Sequence, residues 1–178
     1  IDNETQAWWR TSWLTIKHNY SKAPFFPEYA PALKRIYETE WTSLIDLDLC
    51  MLEFACRCFG ISQPIIRSST LGVDGSKTTR IRNVCQSLGA TTYLSGSGGS
   101  RSYLDEEMLA QAGIKVSWQS FTHPTYPQLH PGHGFVKNLG FLDLLFNCGP
   151  QSRCILESSS SQRPPPYPCS VTSERISL

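Results

Sequence analysis

Through its first third the chain repeats apolar side chains at helical intervals. Trp9, Trp13, Ile16 and Tyr20 share one face of a helix running from about Thr5 to Tyr20, which Lys22-Ala23-Pro24-Phe25-Phe26-Pro27 then breaks. Tyr29, Leu33, Ile36 and Tyr37 predict a second helix over Glu28 to Glu38. A third, opening at Thr42 or Ser43 and reaching Phe59, carries Leu44, Ile45, Leu47, Leu49, Leu52, Phe54 and Ala55. It is apolar on more than one face, so it is expected to be buried.

A different rhythm follows. Three times a helical stretch ends at a glycine and an apolar strand follows at once. Gly60 leads into a strand through Ile65-Ile66 to Ser69, Gly89 into Ala90 to Gly96, and Gly113 into Ile114 to Gln119. Each glycine suits the left-handed position just past a helix C-terminus. The middle helix, about Thr78 to Leu88, places Ile81, Val84, Cys85 and Leu88 on one buried face. Helix and strand alternating across short links predict an α/β fold: a parallel, Rossmann-like sheet layer with helices packed on it, preceded by the aromatic-rich helical segment. Asn138 to Phe146 reads as the last helix, stopped by Gly149-Pro150. Residues 1–157 are thus expected to form one domain. Residues 158–178, rich in Ser and Pro, read as a disordered tail.

This architecture points to where chemistry collects. Ligands of open α/β sheets gather beyond the C-terminal strand ends. Here those ends are small and polar: Arg67-Ser68-Ser69, Ser95-Gly96 and Gln119-Ser120. After Ser95 the chain runs Gly96-Ser97-Gly98-Gly99-Ser100-Arg101-Ser102-Tyr103-Leu104-Asp105. Glycines 96, 98 and 99 permit positive φ angles, and such a turn can aim successive N–H groups at an anion. Asp105 is placed to cap the next helix. Arg67, Ser68, Ser69, Ser95, Gly96, Gly98, Gly99 and Arg101 are therefore the candidate anion-binding residues. The loop is neither a Walker loop nor a dinucleotide fingerprint, because no Gly-Lys-Ser/Thr follows and Arg101 stands where the third glycine would be.

Composition narrows the partners. A formal net charge of +1, with Lys and Arg scattered singly, gives no nucleic-acid footprint. No apolar run is long enough to span a bilayer, so no transmembrane segment is expected. Seven cysteines lack framework spacing, and reduced thiols in a cytoplasmic protein are the simplest account. His123, His130 and His133 fit no common zinc motif, so no metal is expected, although one of them could serve as a general base. The opening Ile-Asp-Asn-Glu, without Met, suggests a processed product or a fragment.

Several stretches together resemble the WbqC-like family of bacterial proteins. They are Trp9-Arg10 through Ile16-Lys17-His18-Asn19-Tyr20, Lys22 to Phe26, Ile66 to Ser69, Tyr93 to Asp105, and Asp143 to Pro150, covering about residues 1–156 in consistent order. Members of that family open with a segment of the type Gln-Pro-x-Tyr-Leu-Pro-Trp that does not occur here, so the chain looks like the later two-thirds of a member. The resemblance implies a role in O-antigen or other surface-polysaccharide biosynthesis. On this reading the protein is a cytoplasmic transferase or sugar-modifying enzyme. Its partners would be a phosphate-bearing small-molecule donor and a sugar-linked acceptor, with His18, Tyr103 or Asp105 orienting or deprotonating the acceptor. No cofactor is named by the residues. The alternative is a non-catalytic module that binds partner enzymes through its aromatic N-terminal surface.

Overall fold

The computed structural model describes residues 1, 7–96 and 98–159. The chain divides into two compact units: Gln63–Thr122, and the described parts of Ile1–Ser62 with His123–Leu178.

The discontinuous unit is helical. It contains α1 (Trp8–Tyr20), α2 (Phe26–Glu38), α3 (Leu44–Cys58), α6 (Phe141–Cys148) and α7 (Ser152–Ser159). Its core joins Trp13, Phe26, Leu33, Ile36 and Phe54 to Leu144, Leu145 and Phe146. The aromatic N-terminal residues are spent on this packing. Trp13 stacks on Phe26, Tyr20 tilts against Phe146, and Phe26 meets Phe146 edge-on with ring centroids 5.0 Å apart. The backbone N–H of Phe25 donates to the Phe146 carbonyl, fixing the α1–α2 turn to α6.

Three expectations are corrected in this unit. Although α3 was expected to be buried, Leu44, Ile45 and Leu52 are exposed, Leu44 by 62%, because the helix packs through the stripe that includes Phe54 and Cys58. Gly149-Pro150 does stop α6, as expected, but α6 is not the last helix. Gly149 adopts φ 52°, Pro150 occupies the opening of a short 3-10 turn, and α7 follows directly. Asn138, expected inside the preceding helix, has φ 61°, and that helix starts at Phe141.

The continuous unit holds α4 (Lys77–Ser87), β1 (Thr92–Ser95), α5 (Glu106–Gln111) and β2 (Lys115–Trp118). The strands are parallel, with Thr92 opposite Lys115 and Ser95 opposite Trp118. Cys85 of α4, Leu109 of α5 and Ile114 form a small core, flanked by Ile81, Tyr93, Leu104 and Val116. Gly89 and Gly113 take the left-handed conformation expected of them, at φ 64° and 74°.

Among the described residues the sheet is a single parallel pair, smaller than the helix–glycine–strand rhythm predicts. The stretch expected to form the first strand has no regular structure through Arg67, and Ser68–Leu71 is a 3-10 turn. Pro64 lacks the N–H a ladder needs, and Ile61, Ile65 and Ile66 are all exposed.

Five cysteines (50, 56, 58, 85 and 148) are free thiols as expected, whereas Cys154 is disulfide-bonded. The tail expected from residue 158 onward does not begin there, because Ser158 and Ser159 close α7; the rest of it, including Cys169, lies outside the described residues. Among the described residues no helix is long and apolar enough to cross a membrane, and no cluster of three metal-ligating side chains occurs.

Candidate functional site

In the continuous unit a glycine loop does precede a helix, but it lies at residues 72–76. Gly72 and Gly75 have φ 61° and 107°. A Cβ on Gly75 would lie 3.0 Å from Cγ2 of Thr79 and 3.2 Å from the backbone nitrogen of Arg80, so only glycine fits against the first turn of α4. Two side chains of that helix hold the loop down. Nη1 of Arg80 donates to the Val73 carbonyl at 2.8 Å, and Nδ2 of Asn83 donates to the Asp74 carbonyl at 2.9 Å. Ser76 occupies the N-cap position without a side-chain capping bond.

Beside this turn lies a cavity of about 570 Å³. Ile81, Val84, Cys85 and Tyr93 give it apolar walls, while Lys77, Arg80, Ser68 and Tyr103 bring polar groups to it. Lys77 is held at φ 47°, a conformation that a residue with a Cβ adopts at a cost of about 1–3 kcal/mol and that clusters at binding sites. Its neighbour Thr78 is buried. The Thr78 hydroxyl accepts the Asp105 N–H at 3.0 Å and donates to the Tyr103 carbonyl at 3.3 Å. One dipeptide thus sets a cation at the cavity and fixes the segment carrying Tyr103. Burial raises the thiol pKa of Cys85 in the wall, keeping it neutral.

Of the residues expected here from the sequence, Ser68 and Tyr103 line the cavity, and the Tyr103 phenol lies 3.3 Å from the Ser100 hydroxyl. Arg67 and Ser69 flank Ser68 in the chain and are exposed. Ser95 is only 2% exposed, with its hydroxyl turned to the Gly96 carbonyl at 3.5 Å. Gly96, Gly98 and Gly99 do not take the positive φ expected of them. Gly98 has φ −80°, and a Cβ at any of the three would meet no atom within 4 Å. No positive φ is used here, although the ψ of −134° at Gly98 lies outside the regions ordinary residues favour. Arg101 sits 4.6 Å over the Trp118 ring, a cation–π contact. Asp105 caps α5 as expected, accepting the Met108 N–H at 2.9 Å. His18 belongs to the other unit.

The profile of the WbqC-like protein family matches residues 1–155. The chain belongs to the WbqC-like protein family. It is 36% identical over 147 residues to Rv1507c of Mycobacterium tuberculosis, described as an uncharacterized protein. That alignment takes in 82% of this chain and 62% of the relative, so the chain spans less than two thirds of that protein's length. No solved structure matches it.

Two stretches that carried the WbqC-like resemblance, Ile16 to Tyr20 and Asp143 to Pro150, meet in the helical unit. Asp143 is 5% exposed, and its carboxylate accepts hydrogen bonds from the Tyr126 hydroxyl at 2.9 Å, Nε2 of Gln128 at 2.9 Å and Nδ2 of Asn147 at 3.3 Å. Tyr20 also bonds to it. Burial, followed by the Asp143 charge and that hydrogen bond, raises the Tyr20 pKa to about 12. Burial and the same carboxylate push the Tyr126 phenol upward as well. All four donors are neutral, so the charge is held by oriented dipoles.

Lys77 and Arg80 are the site residues that sequence reasoning missed. Their signal was present in Gly72-Val73-Asp74-Gly75-Ser76-Lys77: two glycines, a serine of the type found at helix starts, then Lys77 and Arg80 three apart on one helical turn. The richer glycine loop at residues 96–99 drew attention away from it.

Proposed function

We propose that this WbqC-like chain is part of a cytoplasmic enzyme of bacterial surface-polysaccharide biosynthesis, O-antigen included, that transfers or modifies a sugar-linked group using a phosphate-bearing donor. The observation that carries the reading is that Lys77 and Arg80, on the first turn of an eleven-residue helix with no side-chain cap, both line a mainly apolar cavity. Positive side chains and the helix N-terminus favour an anion at the same place. The apolar walls suit a donor's less polar portion, and the volume lies in the range typical of small-molecule sites. Ser68 would donate to the phosphate, with Arg67, Ser69 and Arg101 around it. Of the three acid–base candidates, Tyr103 is the one on the cavity wall and the best placed to meet the acceptor.

A non-catalytic partner-binding module would need an exposed contact surface. Of the N-terminal aromatic residues, Trp13 and Phe26 are buried and Trp8, Trp9, Tyr20 and Phe25 half-buried, and the exposed apolar side chains of the helical unit include Leu44, Ile45 and Leu52 of α3.

Thermal melts with nucleotide sugars, ATP and acyl-coenzyme A test the enzyme reading. A donor at one hundred times its dissociation constant adds about 2.7 kcal/mol to stability. One ligand class should raise the Tm, and Lys77→Ala should abolish the rise while leaving the unliganded melt cooperative. If no phosphate-bearing ligand moves the melt, or the rise survives Lys77→Ala, the assignment fails.

A further inference from the structure

Two hollows of about 710 and 310 Å³ adjoin in the helical unit, sharing Asn19, Leu129 and His130. Into the larger one face Lys17, His18 and Lys22, and no acidic side chain lines it. The smaller has His133 on its wall and Asp143 on its floor.

Part of this arrangement has an ordinary explanation, since Lys17 and His18 in the last turn of α1 complement the negative end of the helix. That account does not cover Lys22, which lies beyond the helix, or the two histidines brought from a segment more than one hundred residues away. Those histidines are held in place. Oε1 of Gln128 accepts the Val136 N–H at 2.9 Å, and Nε2 of Gln128 donates to the Val136 carbonyl at 3.0 Å, closing the loop that carries His130 and His133. The same Nε2 also reaches the buried Asp143 carboxylate, which Tyr126 and Asn147 fix from other sides. A closed loop tied to a buried and fully bonded carboxylate presents two imidazoles to a hollow that three further donors enter from α1 and its end.

We propose that this cleft is a second binding site, for a small anionic polyol: a hexose-sized molecule bearing one phosphate or carboxylate. Lys17, Lys22 and His18 receive the anion. Asn19, His130 and His133 meet hydroxyl groups, since amide and imidazole groups both donate and accept. Each hollow lies within the range usual for small-molecule sites. The proposal stands apart from the donor cavity, because none of its residues belongs to the continuous unit.

Isothermal titration of the full chain with glucose 6-phosphate, glucuronate, glucose and inorganic phosphate tests it. At least one anionic sugar should bind, and the pair identifies whether phosphate or carboxylate is preferred. Glucose and inorganic phosphate should each bind at least tenfold more weakly. Lys17→Ala/Lys22→Ala, two exposed changes, should weaken the anionic sugar at least tenfold, and His130→Gln should weaken it with folding intact. Lys77→Ala should leave its affinity unchanged, which separates this site from the donor reading. During titration the ring resonances of His18 and His130 should shift. The proposal is overturned if neither anionic sugar binds, if glucose or bare phosphate binds equally well, if the double variant binds like wild type, or if the histidine resonances stay still.

Discussion

The Tyr126 hydroxyl donates to Oδ2 of Asp143 across 2.9 Å, inside a unit where that carboxylate is almost sealed from water. Removing the carboxylate would orphan several buried donors at once, whereas removing the phenol leaves Gln128, Asn147 and Tyr20 in place. Asp143→Ala should therefore cost about 3 kcal/mol and Tyr126→Phe about 1 kcal/mol in urea unfolding. Equal losses for the two variants would show that the carboxylate is not the hub.

Gly149 and Gly98 make a matched pair for substitution. Gly149 combines φ 52° with the Phe25 ring packed where a Cβ would go, while Gly98 has φ −80° and open space. Gly149→Ala should destabilise by about 2 kcal/mol or more, through overpacking and backbone strain together. Gly98→Ala meets no clash and should cost no more than about 1 kcal/mol, through its ψ of −134° alone. A thermal melt of each variant decides the matter, and a tolerated Gly149→Ala would contradict the packing described.

Lys77 allows binding and backbone strain to be separated. Lys77→Gly relieves φ 47° while deleting the cation. The variant should be as stable as wild type or up to about 1 kcal/mol more stable, yet lose affinity for the donor that moves the wild-type melt. Lower stability would mean that the Lys77 side chain itself contributes to packing.

Buried phenols predict alkaline instability. The Tyr20 pKa rises from 10.0 to about 12, and Tyr29, Tyr37 and Tyr126 are displaced in the same direction, in each case chiefly by burial. Below pH 10 the phenols keep their protons whether folded or unfolded, and this contribution to stability is intact. Above it the unfolded chain releases protons first, so stability should fall between about pH 10 and 12. Tyrosinate absorbance should rise together with loss of helical circular dichroism. Complete titration of all tyrosines with the fold intact would contradict their burial.

Cys58 offers a chemical test of the same core. Burial pushes its thiol up to about 12, with nearby Arg57 pulling slightly the other way. Because the thiolate is the reactive form, Cys58 should resist Ellman's reagent at pH 8 and react once urea unfolds the chain. Rapid labelling in the native state would mean that the α3 face carrying it opens readily.

Much of this architecture was legible in local pattern. The first three helices, the parallel pair and the left-handed glycines 89 and 113 follow from spacing and helix-end chemistry, and Asp105 caps α5 as its position promised. Tertiary facts were not legible. Whether Ile65 and Ile66 find a strand to pair with, or α3 a cover for Leu44, depends on neighbours that no window reports. The candidate anion site was half legible, through Ser68 and Tyr103. Lys77 and Arg80 were obscured because glycine count is a poor guide to glycine need. Gly75 is hemmed in by backbone, whereas Gly96, Gly98 and Gly99 are not.

The helical unit is discontinuous, and that fixes an order of events during synthesis. Residues 63–122 emerge from the ribosome as a complete compact unit before Leu144, Leu145 and Phe146 emerge. The inner unit can thus fold first. Phe26, Leu33 and Phe54 must wait for their α6 partners, which follow Phe54 by some ninety residues. A nascent WbqC-like chain therefore carries an uncovered apolar surface for longer than either unit's size suggests, and that interval is when a chaperone would find it.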